Sequence, residues 1–213
     1  MTFACDLYAD IAPAYQYLLK TRWPDCLYDV VYVTNSKKLD VGDPVYYIKD
    51  RDIRFAWRFK RFVDLHYDED LLLLMMIDYL PVSIDSELVQ TAVEVCRRPD
   101  VKHVRLRPMP PPQEPFDAPG VGMIDKTKRY ALSLQPGIWE TDVLYDLCNS
   151  KWSAHQVETR GSGKVKNVEG KFLCTEEPAI VHVNYYRKRK VLESDLDWVK
   201  DNVPKRLWPD AAR

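Results

Sequence analysis

The sequence predicts an α/β protein with a central, mixed but mostly parallel sheet flanked by helices, and three observations carry that prediction. The first is Leu71-Leu72-Leu73-Leu74-Met75-Met76-Ile77, an unbroken apolar run between Asp68-Glu69-Asp70 and Asp78-Tyr79-Leu80-Pro81. Such a run reads as a strand covered on both faces, the condition of a parallel sheet rather than of a half-solvated antiparallel one. The second is a strand, helix, strand succession at the start of the chain, the order of a parallel crossover unit. The third is the alternation of apolar-striped helices with further strand-like runs beyond it.

Taken in order, Thr2 to Cys5 reads as a short first strand and Ile11 to Thr21 as a helix, with Pro13 tolerated in the first turn and Trp23-Pro24-Asp25 ending it. Leu27 to Val33, rich in β-branched and aromatic residues, reads as a second strand ending at Thr34-Asn35-Ser36. A turn-rich segment leads to Val45-Tyr46-Tyr47-Ile48, another short strand. From Arg51 to Leu65, Phe55, Phe59, Phe62 and Val63 fall on one helical stripe. Pro81 stops the organising strand. Ser86 to Arg97 forms the next helix, and Val101 to Leu106 alternates as a strand. Arg107 to Pro115 is too rich in proline for a ladder or a helix, so an irregular stretch is expected to about Asp125. It suits a lid or binding loop better than a domain linker, because neither flank has the strands for a core of its own. Residues 1–213 are therefore read as one domain. Tyr130 to Gln135 reads as a strand, turned by Pro136-Gly137 into a helix over Ile138 to Cys148. Thr159-Arg160-Gly161-Ser162-Gly163-Lys164 reads as an exposed glycine-rich loop. Ala179 to Asn184 is a last strand, followed by the basic run Arg187 to Lys190 and a terminal helix over Leu192 to Val199.

Composition narrows the function classes. With 31 Lys and Arg against 32 Asp and Glu, the net charge is −1, which lacks the global basic excess of a dedicated nucleic-acid binder. No apolar run is long enough to cross a bilayer as a helix. Cys5, Cys26, Cys96, Cys148 and Cys174 are scattered without C-x-x-C spacing, which argues for reduced thiols, and the first residues carry no signal-peptide pattern. A cytoplasmic setting is the expectation. Gly161-Ser162-Gly163-Lys164 lacks the first glycine and the final hydroxyl of a phosphate loop. Ser133 is outside a G-x-S-x-G elbow, no G-x-G-x-x-G follows a strand, and His66, His103, His155 and His182 have no zinc-hydrolase spacing. Arg54, Arg58, Lys60 and Arg61 alternate with aromatics as a nucleic-acid stacking helix would, but the aromatics fall on the core stripe. A solvated basic face is the preferred reading, with one or two cations left to meet a diphosphate.

What remains is the carboxyl edge of the sheet, where Asp6, Thr34, Asn35 and Asp78 fall and where open α/β sheets bind ligands. Asp78 is there either as a metal ligand or as a cap on the following turn. His182, taken alone, reads as an ordinary strand histidine.

Ala14-Tyr-Gln-Tyr-Leu-Leu-Lys20, Trp23-Pro-Asp-Cys26, Val30-Val-Tyr-Val-Thr-Asn35, the run from Leu71 to Leu80, Tyr130-Ala-Leu-Ser-Leu-Gln-Pro-Gly-Ile-Trp139 and Glu158-Thr-Arg-Gly-Ser162 together resemble a set of small sugar transferases that build capsular, lipopolysaccharide-like or viral glycans. The chain is especially similar to the amino-terminal glycosyltransferase domain encoded by large DNA viruses of chlorella algae. The resemblance implies a single-domain, Rossmann-like glycosyltransferase A fold and transfer of a hexose or deoxyhexose, glucose or rhamnose in type, from a UDP-sugar to a glycan acceptor. It implies assistance by Mn²⁺ or Mg²⁺, host cytoplasm as the setting if the chain is viral, and a place within a longer multidomain chain. It also favours retention of anomeric configuration. The family's metal motif has two or three acids, whereas Met76-Ile77-Asp78 keeps one. By resemblance, Asp78 and His182 are the metal ligands, and Glu158 with Asp78 carries the chemistry. Cys5, Asp6, Leu7, Tyr8, Thr34, Asn35, Arg58, Ile77 and Gln135 lie along the donor, and Trp139 and Glu140 open a helix that lines the acceptor or sugar pocket. The alternative is a module that binds a nucleotide sugar or glycan on the same scaffold without turnover. Neither reading has nucleic acid as a partner.

Overall fold

The computed structural model describes residues 1–49, 54–186 and 190–212. In chain order β1 is Thr2–Phe3, followed by a 3₁₀ turn at Asp6–Ile11 and helix α1 (Ala12–Arg22). Next come β2 (Tyr32–Thr34), β3 (Val45–Tyr47), α2 (Phe55–His66), β4 (Leu71–Met76), β5 (Tyr79–Ile84), α3 (Ser86–Cys96) and β6 (Val101–Arg105). Beyond these are β7 (Glu114–Pro115), β8 (Val121–Met123), β9 (Gly137–Glu140), α4 (Thr141–Leu147), α5 (Ala154–Gln156), a π-helical turn at Val157–Gly161 and α6 (Ser162–Val165). The chain closes with β10 (Lys171–Thr175), β11 (Ile180–Asn184) and α7 (Glu193–Asn202).

The main sheet runs β3-β2-β1-β4-β9-β6-β10-β8-β7, and β11 pairs with β5 in a separate two-stranded ribbon. β1, β2, β3 and β4 are mutually parallel, β9 lies antiparallel between β4 and β6, and β6 pairs in parallel with β10. All the strands from β3 to β10 except β9 therefore point the same way. The sheet is Rossmann-like, mostly parallel and flanked by helices, as the sequence predicts.

β4 is the centre of this arrangement. Leu72 and Leu74 face the cluster formed with Phe55, Phe59 and Phe62 of α2, while Met75 and Ile77 face the cluster of α1 and α3. Both faces are covered, which explains why the run shows no alternation. In α2 the apolar stripe packs as expected, with Phe55 edge-on to Phe3 at 5.0 Å and stacked on Phe59 at 6.0 Å. The start of the predicted helix and Arg187 to Arg189 of the basic run fall outside the described residues.

Five expectations are corrected. β2 contracts to three residues because β1 offers a ladder only at Thr2 and Phe3, and the preceding Leu27 is 80% exposed. Pro81 does not stop the chain: after the turn at Ile77 and Asp78 the strand resumes as β5, with Pro81 opposite His182 beside a register shift that accommodates its missing N–H. Tyr130 to Gln135 is irregular rather than a strand, with Tyr130 at φ 62° and its carbonyl taken by Arg105 at 2.7 Å. Residues 137–140, expected to open a helix, form strand β9, and α4 starts only at Thr141. At Gly137 a Cβ would come within 2.8 Å of His103, so the close approach of β6 requires glycine. The Pro-rich stretch is irregular in part only, since β7 and β8 add an edge to the sheet within it.

Candidate active site at the carboxyl edge

Strand order sets the location. From β1 the sheet grows one way through β2 and β3 and then restarts on the other side with β4, so the order reverses between β1 and β4. The crevice outside the carboxyl ends of two such strands is where open α/β sheets place ligands. Here those ends are Ala4-Cys5 and Ile77-Asp78.

Asp78 occupies the corner where the chain leaves the main sheet for the ribbon, and its carbonyl accepts from Tyr185 N–H at 2.8 Å. Burial, and next the Glu158 carboxylate, push its pKa up to about 6, against a hydrogen bond from its own backbone N–H. The two carboxylates are thus electrostatically linked, and neither has a salt bridge among the described residues. Like-charge pairs of this kind are a recurring mark of catalytic and ion-binding sites.

Glu158 is held by a different part of the chain. Its Oε1 accepts from Leu134 N–H at 2.9 Å and from Ser133 Oγ at 3.2 Å. Ser162 Oγ adds a bond to the Glu158 carbonyl at 2.6 Å and meets both the N–H and the carbonyl of Leu132. The stretch expected as an exposed loop is therefore helical, with Gly161 and Ser162 buried and one turn opened to π geometry. Single π turns of this sort are concentrated at functional sites. A Cβ at Gly161 would lie 2.9 Å from Leu132, which is how closely this turn approaches the 131–135 segment. Gln135 follows on that segment, two residues before Gly137, the partner of Leu74 in β4, so it too reaches the carboxyl edge. Its buried Oε1 has no partner among the described residues.

The first-strand and second-strand residues gather at the same crevice. Burial pushes the Cys5 thiol up, with Arg58 opposing and Asp78 adding to it. Burial also works against the Asp6 carboxylate, but bonds from Ser36 Oγ at 2.5 Å and from the Ser36 and Lys37 N–H groups at 2.9 Å outweigh it and hold its pKa below the usual range. Asp6 thereby ties the loop after β1 to the loop after β2. Leu7 is 54% exposed, and Tyr8 stacks on Tyr186 at 4.3 Å. Thr34 and Asn35 are buried at the end of β2, Thr34 Oγ1 without a partner among the described residues. Arg58, far from solvated, is buried and donates to the Ala4 carbonyl.

Several expected contacts do not form. The Ile77 side chain belongs to the core and its N–H is taken by Phe3 O at 2.9 Å, so it offers a ligand no side chain. Trp139 is fully buried, stacked on His103 at 3.7 Å and edge-on to Phe172, out of reach of a sugar. Glu140 pairs with Lys102 at 2.5 Å and, opposite Leu71, sits at the other edge of the sheet from Asp78. Both misplacements follow from β9 being an antiparallel strand. His182 is 7% exposed and its Nε2 accepts from Arg107 Nη1 at 2.8 Å, so that lone pair is not open to a metal. Burial and Arg107 lower its pKa to about 3.

Two arginines escaped the sequence reading. Arg105 is fully buried and donates to the carbonyls of Met109, Pro110, Tyr130 and Ala131, binding the Pro-rich loop to the 130–135 segment. Arg107 follows β6 onto the carboxyl edge. The alternation of 101–106 placed Arg105 on a strand, but nothing in it distinguishes a buried clamp from a solvated cation.

Cavities of 790, 720 and 460 Å³ open at the amino edge of the sheet, the first beside Trp23, Tyr28, Asp43 and Tyr46, the second beside His66, Tyr67 and Asp68, and the third beside Arg97, Lys102 and Glu140. No helix among the described residues is long and apolar enough to cross a membrane.

No family model and no curated protein matches the chain. Among solved structures it is similar to a cytidylyltransferase from Leptospira borgpetersenii serovar Hardjo-bovis (strain JB197), at 13% identity and a TM-score of 0.46 over 94% of this chain and 86% of that one.

Proposed function

We propose that this chain is a glycosyltransferase that takes a hexose or deoxyhexose from a nucleoside diphosphate sugar, UDP being the expected nucleotide, and passes it to a glycan hydroxyl at the carboxyl edge. The observation that supports the reading is the electrostatic link between Asp78 and Glu158 near the β1/β4 switch point, two acids without a salt bridge among the described residues.

In such a transfer the anomeric C–O bond breaks and negative charge gathers on the departing diphosphate. Among the described residues no group of three or more His, Cys, Asp or Glu is arranged for a metal, so the donor set on offer is Asp78 with Glu158. That set fits a hard divalent ion of the Mg²⁺ or Mn²⁺ kind, which takes one or two carboxylates and completes its shell with substrate phosphates and water. When bound, the ion would neutralise diphosphate charge. Asp78 would hold it. Glu158, already fixed through Oε1 by Leu134 and Ser133, keeps Oε2 for the acceptor hydroxyl or the ion. The segment from Cys5 to Tyr8 and Thr34-Asn35 line the base and ribose side, and Gln135 closes the crevice from the segment before β9.

Release of free UDP from a panel of UDP-sugars, with and without Mn²⁺, tests the proposal. Turnover that needs the metal is the expected result, together with a rise in melting temperature of roughly 5 to 10 °C at a hundredfold excess of UDP and Mn²⁺ over Kd. Absence of both UDP release and a melting shift with any nucleoside diphosphate would overturn it. The bonds that already occupy Glu158 favour one competing reading, a binding module without turnover, which would give the shift and release nothing.

A further inference from the structure

Arg107 is the cation at this edge that no acid claims. It leaves β6 half-buried, its carbonyl accepts from Cys174 Sγ of β10 at 3.4 Å, and no carboxylate among the described residues pairs with it. Its partner is His182 Nε2 at 2.8 Å. A guanidinium can only donate, so Nε2 must present its lone pair and the ring is neutral. A neutral partner orients the guanidinium without cancelling its charge, which an Asp or Glu would do.

The histidine is itself fixed. Its ring stacks on Tyr79 at 4.4 Å and 28°, and Tyr79 directly follows Asp78. The guanidinium is thus linked through the imidazole to the residue next to Asp78, which places it at the corner. A free guanidinium fork beside acids suited to a divalent ion is the donor arrangement that a phosphate chain satisfies, with ion and fork on different oxygens.

We infer that Arg107 is an anion-binding residue of the carboxyl edge, taking the terminal phosphate of a diphosphate group, and that His182 is the positioning residue that aims it. The ligand class rests on the function proposed above; the anion site itself does not.

Equilibrium binding of inorganic pyrophosphate, UDP and uridine to the full chain, each with Mg²⁺ present, tests this. Arg107→Gln should weaken pyrophosphate and UDP about 10- to 100-fold and leave uridine within about twofold, as expected for loss of a charge-assisted bond. His182→Gln, whose Oε1 can accept where Nε2 does, should stay within about threefold of the parent, while His182→Leu should lose about tenfold with both variants melting alike. Pyrophosphate binding unchanged in Arg107→Gln would overturn the assignment of Arg107. Equal losses in both His182 variants that track melting temperature would overturn the positioning role. If pyrophosphate binds through Arg107 while UDP binds no better than pyrophosphate, the anion site stands and the nucleotide-sugar reading falls.

Discussion

The two edges of the main sheet carry similar residues in opposite condition. At the amino edge, Glu140 has Lys102 at 2.5 Å, Asp100 has Lys171 at 2.8 Å, and Tyr67 and Thr141 hydroxyls donate to the carbonyls of Leu71 and Glu69. At the carboxyl edge Asp78 is desolvated, feels the Glu158 carboxylate and has no salt bridge among the described residues, while Arg107 leans on a neutral histidine. Cavities of 790 and 720 Å³ open at the first edge, and the unsatisfied charge is at the second. Space alone does not mark a site in this fold. Charge kept at a thermodynamic disadvantage does, because a folded protein retains it only where something else is meant to neutralise it.

The sharpest way to break this contrast is Asp78→Asn. Activity should fall at least about 100-fold, the scale of losing a charge-stabilising group, yet the protein should become more stable. In the unfolded chain Asp78 ionises near 3.8, in the folded one at about 6, so between those values the folded state holds a proton that the unfolded state has lost. Wild-type stability therefore falls as pH rises through that window and levels off above it. The variant lacks this loss, and after allowance for partial solvation it should gain roughly 1 to 3 kcal/mol at pH 8, or about 2 to 10 °C in melting temperature. Equal or lower stability of the variant at pH 8, by calorimetry, would remove the argument for a strained site.

Glu158→Gln sharpens the comparison. Its amide oxygen can still accept from Ser133 and Leu134, so the fold should lose no more than about 1 kcal/mol. Turnover should drop roughly 100-fold. The ionisation of Asp78, followed by carbon-13 NMR of its carboxyl, should move below its wild-type midpoint of about 6, since one of the charges raising it is gone. The smallest effect belongs to the satisfied edge: Glu140→Gln breaks a partly exposed ion pair and should cost less than about 1 kcal/mol, with UDP release unaltered. Loss of transfer in that variant would mean the chemistry is at the wrong edge.

Much of the fold was legible in the sequence, for a physical reason. β4, covered on both faces, and α3, buried along one stripe, are long enough for their patterns to survive in the sequence. β9 was not, because four residues cannot display a period and Pro136-Gly137 looks like a turn whichever element follows. β10, equally sheltered between β6 and β8, gives no signal that separates Phe172-Leu173-Cys174 from a buried helix segment. The candidate site could be proposed from the sequence where it depends on a strand ending, as at Cys5, Thr34 and Asp78. It was obscured where it depends on long-range bonds. Nothing local tells that Glu158 to Ser162 is held by Leu132 to Leu134, or that Arg105 and Arg107, two apart, serve as a buried clamp and an open fork.

Residues 71–84 run from the main sheet through a two-residue corner into the ribbon that β5 forms with β11, and Tyr185, just past β11, is hydrogen-bonded to Asp78 itself. The ribbon and the tail of the chain share one core cluster, through Leu80, Ile180, Tyr185, Val199 and Val203. The corner that carries Asp78 is therefore tied to the C-terminal part of the chain, whereas Glu158 is tied to the 132–134 segment, so the two carboxylates are held by separate parts of the molecule.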